Sequence, residues 1–137
     1  MNGLAFFDTN VLLYGEDASI ATKQKRASTL FADHLRQGRA LLSLQVLQEF
    51  FNGATRKLNL GAKDAQRKVE IFSSANIVRF DVVDVIAAIE LHRLVQISLW
   101  DALIVHAARA GGATVLYSED FQHGAVLGGV RVVNPFL

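Results

Sequence analysis

The sequence predicts an α/β fold: a central parallel sheet of about five strands with helices packed on both faces. Two observations carry that expectation. Short continuous apolar runs such as Leu4-Ala5-Phe6-Phe7 and Thr114-Val115-Leu116-Tyr117 lack the alternation of a half-exposed strand, and they fit strands buried on both sides. Between such runs lie longer stretches whose apolar residues return at helical spacing. Strands separated by helices imply a parallel sheet between two helical layers.

The elements follow in order. Leu4 to Phe7 is the first strand; Asp8, Thr9 and Asn10 separate it from a second apolar run, Val11-Leu12-Leu13-Tyr14. Ser19 to Arg36 reads as an amphipathic helix, basic at its start (Lys23, Lys25, Arg26) and stopped by Gly38. Ala40 to Ser43 is a strand. From Leu44 to about Lys57, the apolar positions Val46, Leu47, Phe50, Phe51 and Ala54 recur at helical spacing. After the turn Asn59-Leu60-Gly61, Ala62 to Ser74 forms a helix with a charged outer face. Asn76 to Phe80 is the third strand, and Asp81 to Asp84 supplies a cap for the helix Val82 to Leu94. Leu99 to Ala110, apolar nearly all round, is expected to be a buried helix closed by Gly111-Gly112. Thr114 to Tyr117 and Val130 to Val133 complete the strands, the last of them ended by the only proline, Pro135.

With 137 residues, 51% of them hydrophobic and 20% charged, the chain is expected to form a single domain spanning residues 1–137. No segment has the roughly 18 to 20 uninterrupted apolar residues of a membrane span, and the N-terminus lacks a basic leader, so no membrane partner is expected. The absence of cysteine excludes disulfides and thiolate chemistry and is compatible with a cytoplasmic location. A net charge of +1 means that any nucleic-acid binding must come from a local basic patch.

Among the 13 acidic residues, the placement of a few is informative. Asp8 follows strand one, and Asp120 follows strand four next to Glu119. Asp101 lies in the first turn of the buried helix, and Glu49 on an amphipathic one. Each has an ordinary reading: Asp8 as a helix cap, Asp101 as part of the Ser98-x-x-Asp101 capping box, Glu49 as a solvated helix residue, Asp120 or Glu119 as a loop acid. As a set they point elsewhere. In parallel sheets, ligands gather at the carboxyl ends of strands, where Asp8 and Asp120 stand. Clustered carboxylates are costly to desolvate and repel one another unless a cation sits between them. An all-oxygen donor set without cysteine favours Mg²⁺ or Mn²⁺, one or two ions, over zinc. The four histidines (His34, His92, His106, His123) form no ligand pattern and read as structural or surface residues.

Such an ion commonly acts on a phosphate ester. Lys23, Lys25, Arg26, Arg56 and Lys57, with Arg67 and Lys68, are the cations available to a polyanion; a solvated helix face is the ordinary reading of each.

Phe6-Phe7-Asp8-Thr9-Asn10, Gln48-Glu49-Phe50, Leu99-Trp100-Asp101-Ala102 and Leu116-Tyr117-Ser118-Glu119-Asp120-Phe121 resemble, in order and spacing, the four acidic motifs of PIN domains. The chain's size is similar to that of the toxin half of VapBC toxin–antitoxin pairs. The resemblance implies an α/β/α sandwich with metal-dependent endoribonuclease activity. It further implies inhibition of translation, an RNA substrate, a cognate antitoxin, and a homodimer or toxin–antitoxin hetero-oligomer. Carried over by position, Asp8, Glu49 and Asp101 are the core metal-site acids and Asp120 the fourth. Ser118, Thr9 and Asn10 support them.

Two other classes begin with a strand ending in aspartate. A haloacid dehalogenase-like phosphatase wants a second aspartate two residues on, where this chain has Asn10. A receiver-like signalling module wants paired acids after strand one and a late lysine, but no lysine follows Lys68. A non-catalytic PIN-like binding module is the third alternative, and the presence of all four acids argues against it.

Overall fold

The computed structural model describes residues 3–137. Its elements run β1 (Leu4–Phe7), α1 (Thr9–Tyr14), α2 (Ala21–Arg36), β2 (Ala40–Ser43), α3 (Leu44–Arg56), α4 (Ala62–Phe72), β3 (Asn76–Val78), α5 (Val82–Val95), α6 (Leu99–Ala110), β4 (Ala113–Tyr117), β5 (Val126–Leu127) and β6 (Val130–Val133). The expected helices and strands are present within a few residues of their predicted ends. None of the described helices is long and apolar enough to cross a membrane.

All the elements are built on one six-stranded sheet of order β3-β2-β1-β4-β6-β5. β1, β2, β3, β4 and β6 pair in parallel, which gives the expected parallel sheet. The chain first steps outward from β1 to β2 and β3, then crosses to β4 on the other side of β1. Right-handed crossovers therefore place α1 to α4 on one face and α5 and α6 on the other. The contacts agree: α1 touches α2 and α3, α3 touches α4, and α5 packs on α6, which lies against β2 and β4. The direction of strand addition reverses between β1 and β4, so their carboxyl ends flank the crevice in which open α/β sheets bind ligands.

Thr9 to Tyr14 closes into a helix of 6 residues started by Asp8, as the cap reading of Asp8 expects. Three local features depart from the sequence expectation. β5 adds an antiparallel edge strand, joined to β6 through Gly128 and Gly129 at φ +55° and +82°; a two-residue strand is too short to show periodicity. β3 ends at Val78, and Phe80 leaves the sheet to meet the His106 ring 5.3 Å away. Trp100, on the helix expected to be buried, is 66% exposed, because only Ala102 and the stretch Ile104 to Ala108 face inward.

Aromatic contacts tie the first helical layer to the sheet. Phe7 of β1 meets Phe31 of α2 edge-on at 5.0 Å, Phe31 meets Phe72 of α4 at 5.2 Å, and Phe72 meets Phe50 of α3 at 4.9 Å. On the opposite face, α6 comes close enough to require a glycine. Gly112 takes the left-handed conformation after the helix (φ +85°), as the paired glycines predict. Gly111 keeps helical angles and is needed for space: a Cβ there would stand 2.5 Å from Leu41 Cδ2 and 2.8 Å from Val78 Cγ2. Leu41 is buried, so its side chain can shift only by disturbing the packing around it, and Gly111→Ala is expected to lower the unfolding free energy by about 1–3 kcal/mol through overpacking. Urea denaturation, read as a lower midpoint at unchanged slope, measures that effect.

Candidate active site

β1 ends in Asp8, which has two roles. Its Oδ1 accepts the Thr9 backbone N–H at 2.8 Å and starts α1. Its Oδ2 accepts the Ser118 hydroxyl at 2.8 Å from the loop after β4. Ser118 is completely buried and Asp8 is 6% exposed. The cap reading of Asp8 is realised, and the same carboxylate also meets the loop after β4 through Ser118.

Asn10 links the acids of two strand ends. Its side-chain N–H donates to Asp120 Oδ2 at 2.9 Å and reaches Asp8 Oδ2 and Ser118 Oγ, each at 3.4 Å. Its carbonyl oxygen accepts the Glu119 backbone N–H at 3.2 Å. Glu49, one and a half turns into α3, accepts the Thr9 hydroxyl at 2.6 Å and the Gln45 amide at 3.2 Å. Asp101 lies in the first turn of α6, where the Ser98 hydroxyl accepts its backbone N–H at 3.0 Å. Ser98 therefore caps the helix, and the half-buried Asp101 carboxylate is not needed for that task.

Electrostatics join the acids. Burial pushes the Asp8 carboxyl up to about 6; the Ser118 and Thr9 hydrogen bonds oppose this, and the charges of Asp120 and Glu49 add to it. Asp101 is also raised, first by burial, against the Ser98 hydrogen bond, and then by the same two charges. Among the described residues, no three carboxylate or imidazole groups are gathered tightly enough to enclose an ion. Thr9 and Gln45 hold Glu49, and Asn10 holds Asp120, so the acids form an open rim. The donor chemistry nonetheless fits a hard divalent cation: carboxylates, hydroxyls and two amides, with no thiol or imidazole among their partners.

The adjacent acids Glu119 and Asp120 separate cleanly. Glu119 turns away, accepting Tyr14 Oη at 2.9 Å and Lys23 Nζ at 2.7 Å, and the lysine hydrogen bond holds its carboxyl below the usual range. Asp120 faces Asn10. The basic candidates also divide. Lys23 is committed to Glu119, and Arg26 Nε donates to the Pro135 carbonyl at 3.1 Å. Lys68 pairs with Glu16 at 3.3 Å. Lys25, Arg56 and Lys57 are exposed. Of these, Lys57 lines a cavity of about 320 Å³ that it shares with Asn10, Tyr14 and Asp17.

The sequence model of the PIN domain family matches residues 5–126. The chain belongs to the PIN domain family. The match spans β1 to β5 and takes in all four acids. No curated protein matches significantly by sequence. Solved structures similar to this PIN domain include a toxin–antitoxin complex from Klebsiella pneumoniae, at 22% identity and a TM-score of 0.68, covering 96% of this chain and 97% of that one. A DNA-bound VapBC from Salmonella typhimurium is 18% identical with a TM-score of 0.69, again covering 96% and 97%. A sarcin–ricin-loop-cleaving VapC toxin from Mycobacterium tuberculosis is 20% identical with a TM-score of 0.62, covering 85% and 89%. At these identities the likeness is one of fold.

Tyr14, Gln45 and Phe136, which the sequence did not single out, complete the surroundings of this PIN site. Gln45 meets Glu49 one turn on within α3, whereas Tyr14 and Phe136 reach distant partners: Tyr14 and Glu119 are 105 residues apart, a separation that leaves no local pattern.

The raised Asp8 pKa has a consequence for stability. The folded value, about 6, lies above the unfolded value of 3.8, so the folded state holds this proton more tightly. That contribution is complete below about pH 4 and is lost as pH rises through about 6. At 1.36 kcal/mol per unit, it amounts to about 3 kcal/mol. In chelator, Asp8→Asn is expected to be the more stable protein at pH 7.5 by about 1–3 kcal/mol and to lose the fall in stability between pH 4 and 6. Urea midpoints across that pH range check this.

Proposed function

We propose that this PIN domain is a Mg²⁺- or Mn²⁺-dependent endoribonuclease acting as the toxin of a toxin–antitoxin pair that inhibits translation in the cytoplasm. The observation that carries the reading is Asn10, which hydrogen-bonds Asp120 and touches Asp8 and Ser118 at the sheet's switch point, with Glu49 tied to the same loop through Thr9. Such a fixed, oxygen-only acidic rim suits a hard cation and little else.

Asp8, Glu49, Asp101 and Asp120 would hold one or two ions. When bound, the ion supplies an activated water and neutralises charge on the phosphoryl group. The chain's own groups have separable roles. Asp8, raised to about 6 by burial, would be drawn down by an adjacent cation and so be fully ionised as a ligand at neutral pH. Ser118 and the Thr9 N–H orient Asp8, Asn10 orients Asp120, and Thr9 orients Glu49. Lys57, which shares a cavity with Asn10, would meet a phosphate of the RNA strand.

Assembly has its own support. α5 buries only Ala88 and Leu91, leaving Val82 74%, Val83 69% and Ile86 51% exposed, with Trp100 exposed at the start of the adjoining helix. Apolar surface of this kind marks a partner, here a second copy or the antitoxin. Several similar folds are themselves described as toxin–antitoxin complexes.

Incubating the purified chain with total RNA and Mg²⁺ or Mn²⁺ tests the proposal. Cleavage is expected to stop in EDTA and to leave 5′-phosphate ends, since no histidine pair is available for metal-free transfer to the 2′-hydroxyl. Asp8→Asn is expected to lower the rate by about 10²-fold or more while the fold persists. Cyclic 2′,3′-phosphate ends formed in EDTA would refute the mechanism.

A further inference from the structure

The two neighbouring acids after β4 face opposite ways, and the one outside the acidic rim is the more heavily tied down. Glu119 Oε2 accepts Lys23 Nζ at 2.7 Å, and Oε1 accepts Tyr14 Oη at 2.9 Å. Lys23 Nζ also lies 4.5 Å from the Tyr14 ring centroid and 5.1 Å from that of Phe136, and these two rings meet edge-on at 5.0 Å. Helices α1 and α2 and the C-terminal segment thus converge on one side chain. The Glu119 backbone is held from the opposite side, its N–H on Asn10 Oδ1 at 3.2 Å; the next N–H, of Asp120, lies on Ser118 Oγ at 3.1 Å. With side chain and backbone both held, the residue after Glu119 has one direction available, and the Asp120 carboxylate meets the Asn10 amide.

We propose that Lys23, Tyr14 and Glu119 form a clamp, backed by Phe136, that fixes the Ser118–Asp120 loop and thereby sets the affinity of the acidic rim for a divalent cation. Glu119 is a positioning residue in this scheme, and the cation half of the proposal rests on the metal-dependent reading of the site. The clamp adds little to overall stability, because the Lys23–Glu119 pair is partly exposed, with side-chain exposures of 31% and 30%. Its effect is on order. A loop already fixed before binding does not have to be ordered by the ion, and partners that orient ligands typically change metal affinity by about 10–100-fold.

Lys23→Met separates this role from simple charge. Removing a cation near an acidic site should strengthen divalent binding by electrostatics alone, whereas loss of the clamp should weaken it. Mn²⁺ titration calorimetry on the full chain is expected to give at least about 10-fold weaker binding in Lys23→Met, with a near-unchanged urea midpoint. Tyr14→Phe, which changes no charge, is expected to weaken binding by a smaller factor, and Lys23→Arg to keep most of the affinity. Amide hydrogen exchange in EDTA gives a readout that needs no metal: Glu119 and Asp120 should exchange faster in Lys23→Met than in the parent. Equal or tighter Mn²⁺ binding by Lys23→Met overturns the proposal. If the parent itself takes up no Mn²⁺, the metal reading of the site has failed. The clamp on the loop then stands if exchange at Glu119 and Asp120 differs between the two proteins, and falls if it does not.

Discussion

The hydrogen bond from the Ser118 hydroxyl to Asp8 depends on the parallel pairing of β1 with β4, and the site in turn depends on that bond. The pairing runs Ala5 with Val115, Phe6 with Leu116 and Phe7 with Tyr117, and the Asp8 N–H continues it by donating to the Tyr117 carbonyl at 3.0 Å. A slip of one residue in this register would turn Phe6 and Phe7 to the wrong faces and part Asp8 from Ser118. β1 is buried on both sides from Ala5 to Phe7, and β4 is buried at Ala113 and Leu116, so the core enforces the register and the register positions the site.

The second constraint is the accumulation of negative charge where it is expensive. Asp8 is buried, Asp101 is half-buried, and Glu49 and Asp120 are exposed. The most costly carboxylate thus has the most hydrogen bonds from rigid donors, and the others spread outward on separate elements. Asn10 suits the centre because an amide donates to two acids and accepts a backbone N–H without adding charge. An aspartate at position 10, as the phosphatase alternative requires, would add a further charge facing Asp8 and Asp120.

Much of the site was legible because chemistry that needs a strand end and a buried helix start leaves local signatures. An acid after a continuous apolar run marks Asp8 and Asp120, and an acid at the head of an apolar helix marks Asp101. What was not legible involves side chains that answer to distant partners. Lys23 and Arg26 had the look of a basic patch for a polyanion, yet they bind Glu119 and the Pro135 carbonyl. His106, read as one of four structural or surface histidines, proves to be a buried joint: Arg109 donates to its Nδ1 at 2.8 Å, and its Nε2 meets Asp84 at 3.0 Å, holding α5 against α6. The Asp84 carboxyl is lowered by that bond and by the Asp81 N–H.

The sequence by itself determined the alternation of strands and helices, the parallel sheet, and the candidate acids. Periodicity, glycine stops and the position of a charge within an apolar run are local properties set by backbone geometry and the cost of desolvation. Tertiary structure alone decided the strand order and the antiparallel edge strand. It also decided that Asp120 faces Asn10 while Glu119 faces Lys23. Adjacent residues of like charge carry the same local signal. Only the fold, by bringing α1, α2 and the C-terminal segment to one side of the loop and the strand ends to the other, gives each of them a different partner.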